Sequence, residues 1–470
     1  MKKYLLILTL TITTLFIGCS DSLDRSPVDQ LIEDTAFKTV RDLEFGLAGA
    51  IGNYGGNIND LVAFNSIFTD NCALGVDNGG QELPTLQQIL NADTGDRGLW
   101  IGSYSTINDF NRLIASAENI TPLPAETNTY DNVLAQAYAF RALLHYDVLL
   151  YYGFDITDAS ATGVPYIDFV AVDGLAVRNT TGEVLAEIQE DLDLSLSLLP
   201  AGTSDINFVT PDFITFLRAR IALETGDYNG AIAFATTIID SYPLATSEQY
   251  FDMFNEDANT TEVIWKYDSV QGFNLGLGGT WNFIGPGPFI EMSNELEDLF
   301  TETDIRRAVN VEPTSLISDD PAENIAIVGK YPQNADELGI NDFKAMRVSE
   351  AYLIRAEAHA RLSQFSQASD DVFEVRVARD FLATQTPYLN INEAIAGVIA
   401  ERRLELAYEG HRYNDIKRVR DILNVGIIRD ESDCGGAVPC VLPVNDQKWI
   451  FPVPTLQINA NPDIGQAPGY

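Results

Sequence analysis

Three histidines are the only imidazole side chains in the sequence that could serve acid–base or zinc chemistry: His145, His359 and His411. They are far apart along the chain, and a dedicated zinc site would need carboxylate or thiolate ligands beside them. No Gly-x-Ser-x-Gly, His-Glu-x-x-His, P-loop or Gly-x-Gly-x-x-Gly motif occurs. We therefore interpret the histidines as structural and predict no catalytic residue and no metal ligand.

A row of carboxylates is the next candidate for chemistry. Glu401, Glu405 and Glu409 are spaced by four residues, so they share one face of a helix. Glycoside hydrolysis would need two carboxyl groups that face one cleft, about 5 to 10 Å apart. One crowded helix with Arg402 and Arg403 beside the acids is more typical of buried or half-buried ion pairs. We predict that these carboxylates order the scaffold.

Two acid-rich turns, at residues 77–82 and 93–96, offer oxygen atoms that could hold Ca²⁺. Neither turn follows the spacing of the twelve-residue EF-hand loop. Solvated acidic loops are the simpler interpretation, so no cofactor is predicted, although bound calcium stays open.

Aromatic residues in polar loops indicate a binding function. Trp100, Trp281 and Phe283 lie in or beside Gly- and Asn-rich segments, and Asp77 and Asn78 lie in another. Flat rings near amides and carboxylates suit sugars, which offer C–H faces to stack on and hydroxyls to hydrogen-bond. These five residues are the predicted ligand-binding residues. The alternative is that the rings fasten the loops to the scaffold.

Length and charge limit the classes of function. The chain has 470 residues, 68 acidic and 29 basic side chains and a net charge of −39, and 46% of its residues are hydrophobic. Such a chain can bury a sizeable core. Because nucleic acids require clustered Lys and Arg, the charge argues against a nucleic-acid partner.

The N-terminus has the pattern of an export signal. Lys2 and Lys3 precede an apolar stretch at residues 4–17, which is too short to span about 30 Å of hydrocarbon. The ending FIGC at residues 16–19 is similar to a bacterial lipobox, in which the Cys becomes the lipidated first residue. We predict a signal peptide at residues 1–18 and lipidation of Cys19. The alternative is an ordinary signal peptide followed by a chance Cys.

Three further cysteines have separate interpretations. Cys434 and Cys440 flank a turn-rich GGAVP loop, and an exported protein meets oxidising surroundings, so a local disulfide is predicted. Cys72 is interpreted as a small buried hydrophobic residue.

Helical periodicity is the main structural signal. Residues 132–152 and 185–199 have apolar residues at helical spacing. In residues 210–243, two helical runs meet at Gly226, and small or aromatic residues follow at the spacing of the 34-residue tetratricopeptide (TPR) repeat. The residues of this pattern are Ala219, Ala222, Tyr228, Ala231, Ala235 and Pro243.

A second unit at residues 347–377 repeats part of this pattern with Ala356, Phe365 and Ala368. Residues 392–408 and 413–423 form another predicted helix pair. The predicted fold is therefore mainly α, a TPR-like helix-pair scaffold with large irregular loop insertions. Its helices cover about residues 131–243 and 344–424, and its loop-rich insertions about residues 53–100, 268–290 and 425–470. Long loops on a rigid scaffold are a common place for binding sites.

Five motifs in order make the sequence resemble the SusD/RagB family of outer-membrane lipoproteins. The strongest is ERRLELAYEGHRYNDIKR at residues 401–418. The others are CSDSLD at residues 19–24 with the segments AFKT and DLE that follow it, AYAFRA at 137–142 with Tyr152-Gly153, RVSEAYLIRAEA at 347–358, and Asn461-Pro462 with the terminal Gly469-Tyr470. The resemblance covers nearly the whole of residues 19–470.

The resemblance implies a non-enzymatic, lipid-anchored protein on the outer face of the outer membrane. Such proteins bind oligosaccharides, or peptides in the RagB branch, and deliver them to a SusC-type TonB-dependent transporter. Two alternatives differ in class. A surface glycan hydrolase would need a carboxyl pair that the sequence does not offer. In a TPR scaffold that binds only protein partners, substitution of Trp281 would leave the binding of those partners intact.

Overall fold

The computed structural model describes residues 36–171, 176–270, 276–281, 287–332 and 340–470. Helices dominate these ranges, which confirms the predicted mainly α class. The helices are α1 (Val40–Ile67), α2 (Leu83–Leu86), α3 (Leu99–Ala117), α4 (Thr127–Tyr152), α5 (Thr181–Leu198), α6 (Pro211–Thr225), α7 (Tyr228–Ile239), α8 (Ser247–Asn255), α9 (Leu277–Trp281), α10 (Asn294–Leu299), α11 (Ile305–Asn310), α12 (Val348–Arg361), α13 (Phe365–Arg379), α14 (Ile391–Glu405), α15 (Arg412–Leu423) and α16 (Thr455–Ala460). The strands are β1 (Cys72–Leu74), β2 (Val263–Tyr267), β3 (Ile290–Met292), β4 (Phe343–Arg347), β5 (Ile427–Ile428) and β6 (Val441–Leu442).

The long first helix corrects one prediction. Residues 53–67 were expected to begin a loop-rich insertion, but they continue α1 to Ile67. The glycines in this stretch disfavour a helix by about 1 kcal/mol each relative to alanine. Tyr54, Ile58 and Phe64 are nevertheless buried on the core side of α1. Burial of these side chains outweighs the local preference.

Helices α4 and α5 are joined by a buried ion pair. An Nη of Arg141 on α4 lies 2.6 Å from a carboxylate oxygen of Asp191 on α5, and both side chains are buried. One turn further along α4, His145 is also buried, and its Nε2 accepts a hydrogen bond from the backbone N–H of Ile167 at 3.0 Å. Burial lowers the pKa of His145 to about 3. This histidine is therefore neutral and structural in the fold, in line with its interpretation from the sequence.

The repeat units stack on each other although they are distant in sequence. Helices α6 and α7 form the first predicted pair, and Gly226 ends α6 with a φ of 83°, a conformation that favours glycine. Helices α12 and α13 form the second pair, and α12 packs against α7. Helices α14 and α15 follow, with α14 packed on α12. The long insertion between the first two pairs is thus looped out of a continuous helical stack.

The predicted ion-pair role of the α14 carboxylates is visible in the structure. Glu405 accepts hydrogen bonds from Arg347 at 2.7 Å and from Arg379 at 3.0 Å, and all three side chains are fully buried. Burial alone would raise the pKa of Glu405, but Arg379 and Arg347 hold it below its usual range. Glu401 pairs with Arg306 at 2.6 Å. The partners come from β4, α11 and α13, not from the arginines that neighbour the acids in sequence.

The strands of the described residues form three two-stranded antiparallel sheets, β1–β3, β2–β4 and β5–β6. One hydrophobic cluster extends from Leu43 on α1 to Ile464 near the C-terminus. In the described part of the chain, no helix is both long and apolar enough to cross a membrane.

Candidate functional site

Three loop segments that are far apart in sequence meet beside the end of α1. Strand β1, from the first predicted insertion, pairs with β3, which begins at the last residue of the second, so that Cys72 lies opposite Met292. The side chain of Arg429, from the third insertion, donates hydrogen bonds to the carbonyl oxygens of Thr69 at 2.7 Å and Leu86 at 2.8 Å. Arg429 is 3% exposed. We call this region, residues 69–98, 287–292 and 428–441, the loop cluster.

The third segment is closed on itself by a disulfide and is fastened to its surroundings by polar contacts. The predicted disulfide between Cys434 and Cys440 is present. Beside it, the carboxylate of buried Asp433 accepts a hydrogen bond from the backbone N–H of Asn294 at 2.7 Å. Cys72 is fully buried, as its interpretation from the sequence requires. The loop cluster is therefore anchored and does not project freely.

Asp77 and Asn78 lie where the first and second segments touch. The side-chain N–H₂ of Asn78 donates to the carbonyl oxygens of Gln81 and Phe289, both at 2.7 Å. Gly287 lies against the carboxylate of Asp77, so close that an added Cβ would stand 2.3 Å from one of its oxygens. The Asp77 side chain is half-buried and has no hydrogen-bond partner among the described residues. It is thus a carboxylate that a ligand could reach.

Trp100 lies inside the core. It is 3% exposed, and its ring centroid is 4.8 Å from that of Tyr104 and 4.9 Å from that of Tyr152. The expectation of an exposed ring is wrong here, because Trp100 is in the first turn of α3 and points toward α4. The structure therefore gives this side chain the packing role that was the alternative interpretation.

Trp281 is also buried. It is 1% exposed, and its ring centroid is 5.2 Å from that of Tyr408. The expectation of an exposed ring is again wrong, because α9 packs Trp281 against the residues that follow α14. Its indole N–H has no hydrogen-bond partner in the described structure. Phe283, the remaining predicted ring, lies outside the described residues.

Two charged groups of the loop cluster were not predicted from the sequence. Arg97 pairs with Glu82 and, at 3.3 Å, with Asp60 of α1. Glu291 on β3 is 6% exposed and accepts a hydrogen bond from the backbone N–H of Val76 at 2.6 Å. Burial raises the pKa of Glu291 to about 7. No local sequence signal marks these groups, because their partners are set by the meeting of the loops.

The outer side of the loop cluster combines polar groups with aliphatic ones. Leu74, Val76 and Ile428 expose between 46% and 60% of their surface. Exposed polar side chains of Asn91 and Asp93 are in the same cluster. In the described ranges, no group of three or more His, Cys, Asp or Glu residues is placed to hold a metal ion. The arrangement is suited to binding through hydrogen bonds and apolar contact.

Two family models match separate parts of the chain. Residues 330–470 match the SusD family, and residues 23–211 match a family described as starch-binding and associating with the outer membrane. The chain belongs to the SusD/RagB family. Among curated relatives, a SusD-like protein of Formosa agariphila is 25% identical, and the match covers 89% of this chain and 91% of the relative.

Solved structures share the SusD/RagB fold. A putative sugar-binding protein of Bacteroides vulgatus superposes with a TM-score of 0.76 at 23% identity, covering 93% of this chain and all of the other. A SusD superfamily protein of Bacteroides thetaiotaomicron has a TM-score of 0.78 at 20% identity, with 92% and 100% coverage. These likenesses establish the fold of the whole described scaffold, including its helix pairs.

Proposed function

We propose that the protein is an outer-membrane surface lipoprotein that binds oligosaccharide nutrients at the loop cluster and delivers them to a SusC-type TonB-dependent transporter. The observation that carries the proposal is the convergence of three loop segments on a TPR-like scaffold of this family. The family description of residues 23–211 as starch-binding supports a carbohydrate ligand. Lipid attachment at Cys19 is part of the proposal and rests on the lipobox, which lies outside the described residues.

A sugar suits the chemistry of the loop cluster. Sugar hydroxyls both donate and accept hydrogen bonds, and the carboxylate of Asp77, which accepts no side-chain hydrogen bond from the described residues, can accept from two of them. Aliphatic side chains such as Val76 provide apolar contact for the C–H faces of sugar rings. A peptide is the alternative ligand, and the experiments below distinguish it from a glycan.

The transporter partner is tested by extraction of the native outer membrane in mild detergent, with a C-terminal tag on this protein. We expect a large β-barrel transporter to co-purify in near-equal amount. If the tagged protein comes out alone and releases reducing ends from polysaccharide, it is an enzyme and the proposal is wrong. If it comes out alone and inert, the delivery role is wrong.

The ligand class is tested by calorimetry with starch-derived oligosaccharides, other neutral oligosaccharides and a mixed peptide set. We expect heat of binding from one class of oligosaccharide. Replacing Asp77 with Ala should weaken that binding at least about tenfold, because a hydrogen bond to a charged group contributes about 1.5–3 kcal/mol and about 1.4 kcal/mol is a factor of ten. The matched control is Asp193→Ala on α5, whose side chain is 72% exposed and outside the loop cluster.

Equal affinity of the Asp77→Ala variant and the unaltered protein would exclude Asp77 from the site. Binding of peptides and of no oligosaccharide would replace the glycan with a peptide ligand.

A further inference from the structure

A half-open polar pocket lies where the N-terminal helices meet the repeat helices, and none of its lining residues belongs to the loop cluster. Its walls come from α1, α4, α6, α12, α14 and α15, with β2 and β4 at one side. Its volume is about 100 Å³. Since a water-sized group fills about 30 Å³, the pocket has room for about three such groups. It is therefore too small for an oligosaccharide and large enough for one end of a small ligand.

Asp147 on α4 brings a carboxylate without a partner to this pocket. Its side chain is half-buried and makes no hydrogen bond or ion pair with the described residues. The cation that acts on it most is Arg220 on α6. That guanidinium is already bound to Glu350 on α12 by two hydrogen bonds, of 2.8 and 2.6 Å. The carboxylate of Asp147 can therefore accept hydrogen bonds from a ligand.

The other guanidiniums that line the pocket are also neutralised by carboxylates of their own. Arg402 on α14 donates to Asp415 at 2.8 Å. Arg418 on α15 donates to Glu224 at 2.6 Å and to Glu357 at 2.7 Å. With the guanidinium on α6, these are the three arginines of the lining. None of them is left to compensate the free carboxylate on α4.

The remaining titratable groups of the walls do not change this balance. Glu409, which follows α14, is bound by Arg347 at 2.7 Å. Burial lowers the pKa of His411 to about 4, so this side chain is neutral at pH 7. Burial also raises the phenol pKa of three tyrosines of the walls, which stay neutral as well: Tyr54, Tyr146 and Tyr151. The lining therefore has one uncompensated negative charge when Asp147 is ionised.

Aliphatic side chains line the same pocket. Leu150 lies one turn after Asp147 on the same face of α4, and Leu61 belongs to α1. Both leucines are half-buried. Lys417 on α15 is not a lining residue, and its ammonium donates to the carbonyl oxygen of Leu150 at 2.6 Å. A free carboxylate beside aliphatic side chains is complementary to a positive charge on a short hydrocarbon stem.

We propose that this pocket binds a primary alkylammonium group, whose N–H groups donate to Asp147 and whose methylenes contact Leu61 and Leu150. A primary ammonium has three N–H donors, and a carboxylate accepts them in charge-assisted hydrogen bonds. The volume holds the ammonium and about two methylenes. The group can belong to a free amine or to a lysine side chain of another protein, because both present the same chemistry to the pocket.

Binding of an ammonium group should depend on pH. In the empty pocket, burial raises the pKa of Asp147 to about 7 from its ordinary value of 3.8, and Arg220 opposes the shift. A bound ammonium favours the ionised carboxylate, so it lowers this pKa and binding releases a proton. About a tenth of the free carboxylate is ionised at pH 6 and about nine-tenths at pH 8. Since an alkylamine stays charged in this range, its affinity should rise about tenfold from pH 6 to pH 8.

The test is a titration with n-butylammonium chloride at constant ionic strength, followed by saturation-transfer NMR. We expect saturable binding to the unaltered protein that is about tenfold tighter at pH 8 than at pH 6. Asp147→Asn should weaken binding at pH 8 at least about tenfold and remove its pH dependence. The control is Asp131→Asn, which is 16 residues earlier on α4 and so about 24 Å away along the helix. This variant should bind as the unaltered protein does.

Three further probes examine the parts of the ligand. n-Butanol has the stem without the charge, and tetramethylammonium has the charge without N–H donors. Both should bind at least about tenfold more weakly than n-butylammonium. Nα-acetyl-lysine methylamide distinguishes the two sources of the ammonium group. Equal affinity for it supports a lysine of another protein, and binding of n-butylammonium alone supports a free amine.

A last measurement needs no variant that folds. Calorimetry of n-butylammonium binding at pH 7, in buffers of different ionisation enthalpy, should detect release of about half a proton per amine bound. Absence of binding to the unaltered protein would overturn the proposal. Equal affinity for n-butanol, or the same affinity for n-butylammonium at pH 6 and pH 8, would also overturn it.

Discussion

At the scale of single residues, burial decides what an aromatic side chain does. The Gly- and Asn-rich sequence around Trp281 is typical of a loop that stacks an aromatic ring on a sugar. The ring nevertheless packs against Tyr408, and the residue is 1% exposed. A ring without an exposed face cannot stack on a ligand in this conformation. Its contribution is then to the stability of the scaffold that carries the loop cluster.

This placement predicts the effect of substituting Trp281. Trp281→Ala should lower the free energy of unfolding by about 3–5 kcal/mol, because it leaves a large cavity in the core. Trp281→Phe should cost far less, since it fills most of the volume and removes an indole N–H that has no hydrogen-bond partner in the described part of the chain. Urea unfolding followed by circular dichroism measures both values. A Trp281→Ala protein of unchanged stability that binds its ligand poorly would return Trp281 to the binding site.

At the scale of elements, the repeat helices are held together by buried ion pairs as well as by apolar packing. Glu405 at the end of α14 binds Arg347 at the end of β4 and Arg379 at the end of α13. Both arginines also bind Glu262, and Arg347 binds Glu409, so Glu405 is one carboxylate of a buried network. One side chain thus joins the ends of three elements.

The corresponding prediction is that Glu405→Gln destabilises the protein strongly. Removal of one charge from a buried ion pair costs about 3–5 kcal/mol. Without the charge of Glu405, two carboxylates, Glu262 and Glu409, are left for three cations, Arg347, Arg379 and Lys330. The control is Glu374→Gln on α13, an exposed side chain that should change stability by less than about 0.5 kcal/mol. Guanidinium or urea unfolding at pH 7 gives the comparison. A small loss at Glu405 equal to that of the control would show that Glu262 and Glu409 are sufficient partners for the two arginines.

At the scale of the whole molecule, the two family matches do not mark two independent domains. Tyr413 on α15 packs on Phe64 of α1, with ring centroids 5.2 Å apart. Arg412 binds Asp70 at 2.6 Å, across 342 residues of sequence. The single large hydrophobic cluster includes residues from both matched segments. The C-terminal segment therefore completes the core of the N-terminal one.

A chain that ends at residue 329 should accordingly fail to fold by itself. It would expose the buried faces of α1 and α4, which α15 and the C-terminal loops cover. We expect a broad thermal transition for this fragment, and a sharp one when residues 330–470 are co-expressed with it. A fragment that melts sharply alone would show that the N-terminal segment is a domain in its own right.

Several features follow from the sequence alone, because their causes act over a few residues. The helix pairs around Gly226 and residues 363–364 result from periodicity and turn residues, which operate within one or two helical turns. The ion-pairing role of Glu401 and Glu405 follows from their shared helix face, whereas Glu409 lies beyond the end of α14 and pairs from the turn that follows it. The six-residue separation of Cys434 and Cys440 makes their pairing local.

Other features depend on contacts between distant parts of the chain. Neighbours that are far away in sequence determine three of these features. They are the helical state of residues 53–67, the burial of Trp100 and Trp281, and the ion-pair partners of Glu405. Arg429 reaches the carbonyl oxygen of Thr69 across 360 residues, and that contact helps to bring three separate loops into one cluster. Local pattern determined the helices of the repeat pairs, but not the helical state of residues 53–67. Only the tertiary structure decided which side chains face the core and which a ligand can reach. The reason is that the burial of a side chain depends on which distant segments of the chain pack over it.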